Sequence, residues 1–421
     1  MQPIIETDIH SRIRKEIERA AENSIIINQE YLDDEQLSRE RQFEVLTEIF
    51  NMNVRSEEIR AISNHFSPVF RNGHPIPLSV LGKPGTGKTI SILWFLGQVQ
   101  ELCHERNIPF QQIHLDLCCP APCFRALNNL ACYMGASQYY RKGISLEELM
   151  SRIELRLKSL RGYLVIFVDE ADNVRTDFNT FYTFLAKRLP QRISAKLILV
   201  FSSNRLNWSD NLDPRVKSCL KARELLFEPY DAESLARILE IRIEKALRQD
   251  RLEDGVVEKI AALSSRQHGD ARKAVNLLTQ SAYLAEKLGK PITLDIVDQA
   301  HDEMERDKYV DMIRTSPKHL QAALYAAITG KSKKCALHTG DAFVAYQQFC
   351  EETGLPPVTQ RAFTDLLAEL DMYGFITART VSRGRYGRSK EIRVSLPPQV
   401  LQRLLAVIRG TFDLNGGVTS P

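Results

Sequence analysis

Residues Gly82 to Thr89 read Gly-Lys-Pro-Gly-Thr-Gly-Lys-Thr. An apolar run with Leu78, Val80 and Leu81 precedes them and a helix-forming stretch at 90–100 follows, the order of strand, glycine-rich loop and helix that a P-loop requires. Gly82, Gly85 and Gly87 let the backbone curl until successive N–H groups converge on phosphate oxygens, with Pro84, Thr86 and Ile90 completing the loop. Lys88 is placed to reach the β and γ oxygens, and the Thr89 hydroxyl to ligate Mg²⁺. The loop therefore predicts a bound nucleoside triphosphate, ATP or its product ADP, together with Mg²⁺.

Outward from the loop, strand-like stretches at 78–81, 112–117, 164–168, 196–201 and 224–227 alternate with helix-like ones, as in a parallel sheet covered by helices. Leu164-Val-Ile-Phe-Val168 is apolar throughout, which suits a strand buried on both faces, and it ends in Asp169-Glu170, a Walker B pattern. Asp169 is expected to hold Mg²⁺ and Glu170 to orient and polarise the attacking water. The strand at 196–201 runs into Ser202-Ser203-Asn204, and an amide at that strand tip can read the γ-phosphate or the lytic water. Arg272, near the start of a later helix, can reach the γ-phosphate from a lid, and Arg215 in Asp-Pro-Arg is a candidate finger for a neighbouring subunit's nucleotide, a role open to Arg205 as well.

After Phe227 the pattern turns helical. Leu235, Ile238, Leu239 and Ile243 share one helix face, and further helices are expected at 256–267, 271–288 and 293–304. A third part starts near Ser316-Pro317, with helices at 318–329, 339–353 and 359–373 and a hairpin pattern from 376 to 396. Phe363, Leu366, Leu367 and Leu370 recur at helical spacing, leaving Thr359, Gln360, Arg361 and Thr364 on the outer N-terminal half, where a recognition helix carries its base contacts. The hairpin tip holds Arg383, Gly384, Arg385, Tyr386, Arg388 and Lys390, a basic wing fit for a narrow minor groove. These are the marks of a winged helix on double-stranded DNA. The chain accordingly divides into 1–228, 229–312 and 313–421.

The whole-chain charge of +3 hides an asymmetry: residues 315–421 carry 13 Lys and Arg against 8 Asp and Glu, leaving 43 against 45 elsewhere. Positive charge gathered at the winged end fits a polyanionic partner there. The N-terminal stretch lacks a signal-peptide core and no apolar run reaches membrane-spanning length, so a cytoplasmic, nucleoid-associated protein with no membrane partner is expected. Eight cysteines without a repeated metal-ligand spacing read as reduced thiols, including the close group Cys118, Cys119, Cys123 and Cys132.

With its P-loop, Asp169-Glu170-Ala-Asp172, Asn204 and Arg272 in this order, the core resembles the AAA+ ATPases, and the strings LDPRVKS, HGDARKA, LLAELDMYGFI and VSRGRYGRSKEIRV resemble the archaeal replication initiators related to the eukaryotic origin recognition complex and cell-division-control protein. The resemblance, over roughly residues 54–396, implies an α/β P-loop AAA+ core, a helical lid and a C-terminal winged helix. It also implies Tyr230 and Arg242 in the nucleotide pocket and an Arg-Glu motif near the adenine, matched by Arg55 with Glu57 and Glu58 or by Arg39-Glu40. Arg125, in the helix after the second strand, is the implied DNA contact of the core. The activity implied is that of a slow ATPase switch that binds origin DNA, helps load the replicative helicase and works with another initiator subunit. A DNA-binding paralogue that regulates and keeps nucleotide as a structural ligand is the second reading, against which Glu170 and Asn204 speak. A clamp-loader subunit would end in a helical collar where this chain has its hairpin.

Overall fold

A computed structural model describes residues 24–33, 36–134, 143–330, 337–382, 388–394 and 396–412. The chain forms two compact units that divide between Val297 and Asp298. The first holds both the core and the lid expected from the sequence; the division falls within the helix Leu294–Thr315, which runs on past the expected stop at 304.

Five parallel strands build the core: β1 (Leu78–Gly82), β2 (Phe110–Asp116), β3 (Tyr163–Asp169), β4 (Lys196–Ser203) and β5 (Arg223–Phe227), in the order β2-β3-β4-β1-β5. Parallel neighbours require crossovers, and helices on both faces bury the sheet. Side chains alternate along each strand. Leu164, Ile166 and Val168 of β3 therefore join Leu197, Leu199 and Phe201 of β4 under the helices Cys123–Tyr133, Leu146–Leu157 and Phe178–Thr183. Tyr163, Val165 and Phe167, with Ile198 and Val200, face the opposite way onto the helices Ser56–Phe66 and Lys88–Glu105. Because β4 lies between β3 and β1, its tip stands between Asp169 and the loop that follows β1.

Three helices, Ala232–Ala246, Val256–Arg266 and Ala271–Leu288, form the lid, and Leu235, Ile238, Leu239 and Ile243 are buried as their spacing demands. Asp231 caps the first by accepting from Ser234 N at 2.8 Å, and Asp270 caps the third by accepting from Arg272 N at 2.9 Å. The N-terminal strap is tied to this lid. Ile26 bridges Leu247, the Glu286 carboxylate accepts from Ser24, Ile25 N and Ile26 N, and Thr279 Oγ1 donates to Leu32 O at 3.0 Å. The helix Arg39–Asn51 that follows packs on the P-loop helix, with Trp94 Nε1 donating to Thr47 Oγ1 at 3.0 Å.

The second unit is a winged helix in itself: helices Lys318–Thr329, Thr339–Thr353, Gln360–Met372 and Pro398–Thr411 around an antiparallel sheet of β6 (Leu337–His338), β8 (Arg388–Val394) and β7 (Ile376–Ser382), in that order. Phe363, Leu367 and Leu370 are buried in its core, with Leu366 packed at the edge. No helix of the described residues is long and apolar enough to cross a membrane.

Ile166 is fully buried at the centre of β3. Ile166→Ala is expected to destabilise the first unit by about 2–5 kcal/mol through lost burial and a residual cavity. Both tryptophans, Trp94 and Trp208, lie in that unit, so urea unfolding followed by their fluorescence reads it; a loss below about 1 kcal/mol would contradict a packed β3 core.

Candidate nucleotide site and nucleic-acid face

The loop residues have the conformation their sequence called for. Gly85 and Gly87 lie at φ +74° and +81°, a region closed to most side chains, and the helix Lys88–Glu105 starts at once after them. There is a second reason for glycine here. A Cβ on Gly85 would strike the Asp270 carboxylate, and one on Gly87 would strike the Tyr230 hydroxyl, so the lid presses directly on the loop. Ala271 N donates to Gly85 O at 3.2 Å and Tyr230 N to Gly269 O at 3.0 Å, closing the same seam.

Lys88 is buried, and its ammonium donates to Gly82 O at 2.8 Å, Lys83 O at 2.7 Å and Asn204 Oδ1 at 2.9 Å. Residues expected on phosphate from two strand ends are thus joined to each other. Burial pulls the Lys88 ammonium down to about 8, with Asp169 opposing and Arg272 adding to the fall. Thr89 Oγ1 donates to Asp169 Oδ1 at 3.1 Å, which brings the two expected Mg²⁺ ligands together.

Asp169 collects donors from several elements. Burial would raise its carboxyl, but the nearby His114 ring and hydrogen bonds from Ser202 and Thr89 outweigh this and hold it below the ordinary carboxylate value. His114 Nε2 lies 3.6 Å from Oδ2, and Glu170 N donates to Oδ1 at 3.1 Å. Glu170 differs in direction: burial, then the charges of Asp169, Asp116 and Asp172, push its carboxyl up. It sits at φ +53°, with its N–H also donating to Ser202 Oγ at 3.1 Å and its Oε2 accepting from Asn173 Nδ2 at 2.7 Å. A carboxylate of raised affinity for protons beside one held ionised is the pairing expected of a base next to a metal ligand.

Ser202 and His114 were not singled out in the sequence, because their contacts run between strands far apart in the chain; Asn173, at the end of the short turn Ala171–Asn173, folds back on Glu170 three residues earlier. Asp270, also missed, carried one signal, a capping residue two before Arg272.

Other expected residues are placed as follows. Arg55 is half-buried at the loop, its side chain covered: it stacks on the Tyr230 ring with its guanidinium carbon 3.9 Å from the centroid, donates to Thr86 O at 3.0 Å and Glu228 O at 2.5 Å, and pairs with Glu58 at 2.6 Å. Arg39 and Glu40 lie elsewhere, exposed on a cleft of about 1050 Å³ with Phe43, Gly97, His104 and Phe110. Arg242 is buried in the lid and donates to Tyr31 O of the strap at 2.9 Å. Arg215 and Arg205 are both exposed, Arg205 3.3 Å from Asp172, and Arg125 is exposed on its helix.

In the second unit Gln360 and Arg361 are exposed at the start of their helix, which Thr359 caps through Ala362 N at 3.4 Å. Thr364 is half-buried and its hydroxyl donates to Gln360 O at 2.9 Å, so that group is engaged within its own helix. Arg383, Gly384, Arg385 and Tyr386 lie outside the described residues. Arg388 and Lys390, read as tip residues, belong to β8, where Ser382 pairs with Arg388 and Thr380 with Lys390.

Three family models match: an AAA domain over residues 73–207, a Cdc6 AAA+ ATPase-type lid domain over 236–302 and a CDC6 C-terminal winged helix domain over 311–403. The ORC1-type DNA replication protein of Thermococcus onnurineus is 33% identical over 356 residues, covering 83% of this chain and 86% of that protein. ORC1-type DNA replication protein 1 of Archaeoglobus fulgidus is 31% identical over 354 residues, covering 83% and 86%. Among solved structures, the Aeropyrum pernix ORC1 protein in complex with DNA superposes with a TM-score of 0.67 at 30% identity, covering 86% of this chain and 93% of that one.

Lys88 held near pH 8 in the free protein and fully charged against a phosphate makes binding proton-linked. Affinity for ADP is expected to hold up to about pH 8 and then fall about tenfold per pH unit, because binding must then take up a proton. Calorimetric titration from pH 7 to 9.5 reads it, and a flat profile would show that Lys88 stays charged throughout.

Proposed function

The chain belongs to the ORC1-type family of DNA replication proteins, and from that membership we propose that it is an ATP-dependent initiator that fixes itself on origin DNA and helps load the replicative helicase. It is a replication initiator with a nucleotide-binding AAA+ core and a DNA-binding winged helix; hydrolysis, its slow rate, the helicase and a second initiator subunit are the proposed part. We assign residues 1–228 to the ATPase core, 229–312 to the lid and 313–421 to DNA binding, in a cytoplasmic protein associated with the nucleoid.

One observation carries the nucleotide side: Lys88, Thr89, Asp169, Glu170 and Asn204 converge on a single loop, and the lid bears on that loop through Asp270 and Tyr230. Lys88 would exchange its carbonyl partners for phosphate oxygens, the loop N–H groups from Gly85 to Ile90 joining it. Mg²⁺, held through Thr89 and Asp169, would neutralise charge on the phosphates. Asp169 fits this role because it is already ionised and bonded to Thr89. Glu170 would polarise the attacking water, its raised proton affinity bringing it nearer to the working pH of a base. Asn204 would follow the γ-phosphate while holding Lys88. Arg272 sits two residues beyond Asp270, so a γ-phosphate that draws Arg272 inward also moves the lid's contact with Gly85. Arg55 and Tyr230 border the loop on the base side; we keep Arg242 as a lid residue that acts there through the strap, and Arg215 or Arg205 as fingers toward a neighbouring subunit.

On the DNA side, the solved relative from Aeropyrum pernix is bound to DNA. By analogy Gln360, Arg361 and Thr359 would face the major groove, the wing from Arg383 to Lys390 the adjacent groove, and Arg125 the duplex along the core.

Glu170→Gln is expected to retain ATP yet lose turnover by about 10²-fold, since the amide keeps the shape and cannot polarise water. Phosphate release with matched nucleotide occupancy measures this; wild-type turnover would remove Glu170 from the mechanism.

Arg361→Ala is expected to weaken origin binding by about 1–3 kcal/mol with little effect on random duplex, whereas Arg385→Ala lowers both, reducing the salt slope by about 1 if it meets phosphate. Fluorescence anisotropy over a salt series with both duplexes separates the two, and wild-type binding by both variants would sink the winged-helix assignment.

A further inference from the structure

Cys118 and Cys119 stand in the open on the turn that leaves β2, their sulfurs 3.9 Å apart. One residue pins this turn on both sides. Before it, Leu117 N donates to Asp169 O at 3.2 Å and Leu117 O accepts from Asn173 Nδ2 at 2.9 Å. Beyond it, Ala121 N donates to Asn173 O at 2.9 Å and Arg175 N returns a bond to Ala121 O at 2.9 Å. Asn173 Nδ2 also donates to Glu170 Oε2 at 2.7 Å. The thiols therefore occupy a short span, 118–120, anchored on one side by the Asn173 side-chain amide, which also holds Glu170, and on the other by the Asn173 backbone carbonyl.

We propose that the Cys118–Cys119 pair is a capture site for a trivalent thiophilic metalloid of the arsenite class, and that its occupation draws Asn173 away from Glu170. Adjacent Cα atoms lie about 3.8 Å apart, short of the roughly 4.4–6.8 Å that a disulfide spans, so the pair suits an inserted atom better than a direct sulfur–sulfur bond. With an organic arsenic(III) oxide two S–H bonds break and two As–S bonds form, and the oxide oxygen leaves with both protons as water. No electrons are transferred. Tetrahedral zinc is a poorer fit, because among the described residues no three His, Cys, Asp or Glu side chains are grouped to hold a metal ion.

The surroundings favour two-point capture over attack on a single sulfur. The hydrogen bond to Cys119 and then the Asp116 carboxylate push the Cys118 thiol up, leaving little thiolate for a one-sulfur electrophile. Arsenic exchange is proton-neutral overall and escapes that penalty at equilibrium. Cys103, Cys123 and Cys350 are buried and do not compete.

The effect on Glu170 rests on the hydrolytic reading given above, whereas capture does not. The full chain is treated with phenylarsine oxide, washed with a monothiol, weighed by intact mass spectrometry and assayed for ATP turnover. A single adduct is expected in wild type, released by 2,3-dimercaptopropanol, with turnover lowered roughly tenfold while it is bound. The double variant Cys118→Ser, Cys119→Ser is expected to match untreated wild type in turnover, to keep no adduct and to ignore the reagent. An adduct lost to the monothiol wash, or retained by the double variant, overturns the site; an adduct on the pair with unchanged turnover overturns the link to Glu170. Absence of turnover in untreated wild type would overturn the hydrolytic reading and with it that link, and the mass measurement still decides capture.

Discussion

The ionised carboxylate of Asp169 is the point on which the nucleotide site turns. A buried charge is tolerated only when partners surround it, and here they come from four separate places: hydrogen bonds from Thr89 at the P-loop helix, Ser202 on β4 and the N–H of Glu170, and the ring of His114 on β2, whose Nε2 lies 3.6 Å from Oδ2. Each partner fixes the element that carries it. The carboxyl ends of three strands and the start of one helix are thereby held in register around a single oxygen pair, where a doubly wound sheet places its ligand.

From that centre the constraint spreads in two directions. Through Lys88 it reaches Asn204 and the carbonyls of the loop itself, so the loop's curvature and the tip of β4 are set together. Through the loop glycines it reaches the lid, since Gly85 and Gly87 leave room for Asp270 and Tyr230 and for nothing larger. A lid in van der Waals contact with the phosphate loop responds to changes in that loop without any long-range device. The strap at 24–33 and the helix Arg39–Asn51 add a tie, because the first is bonded to lid helices and the second to the P-loop helix as well as to Lys245 of the lid at 2.9 Å.

Charge within the site is divided by environment rather than by residue type. Asp169 and Glu170 are neighbours in sequence, yet hydrogen bonds hold the first low while burial and three carboxylates raise the second. Asn173 then fixes the orientation of Glu170 and, through Leu117 and Ala121, the thiol-bearing turn beside it.

Local chemistry was legible in the sequence alone. The P-loop, Walker B, the five strands, the apolar face of the helix Gln360–Met372 and the three-part plan could be read because each depends on periodicity, glycine placement or motif order within a short window. Tertiary structure decided the rest. Ser202 and His114 became site residues only when parallel strands distant in the chain were laid side by side, Asn173 only through the turn that folds it back on Glu170, and Arg55 could be set at the loop, with Arg39-Glu40 on a separate cleft, only from folded positions. The helical run from Phe178 to Arg192, interrupted by a π-turn before Pro190, left no clear period to read. Nor did the sequence show that Arg388 and Lys390 lie in β8 rather than at the tip, because a hairpin's register is set by cross-strand pairing, and pairing is a contact between residues that the chain order keeps apart.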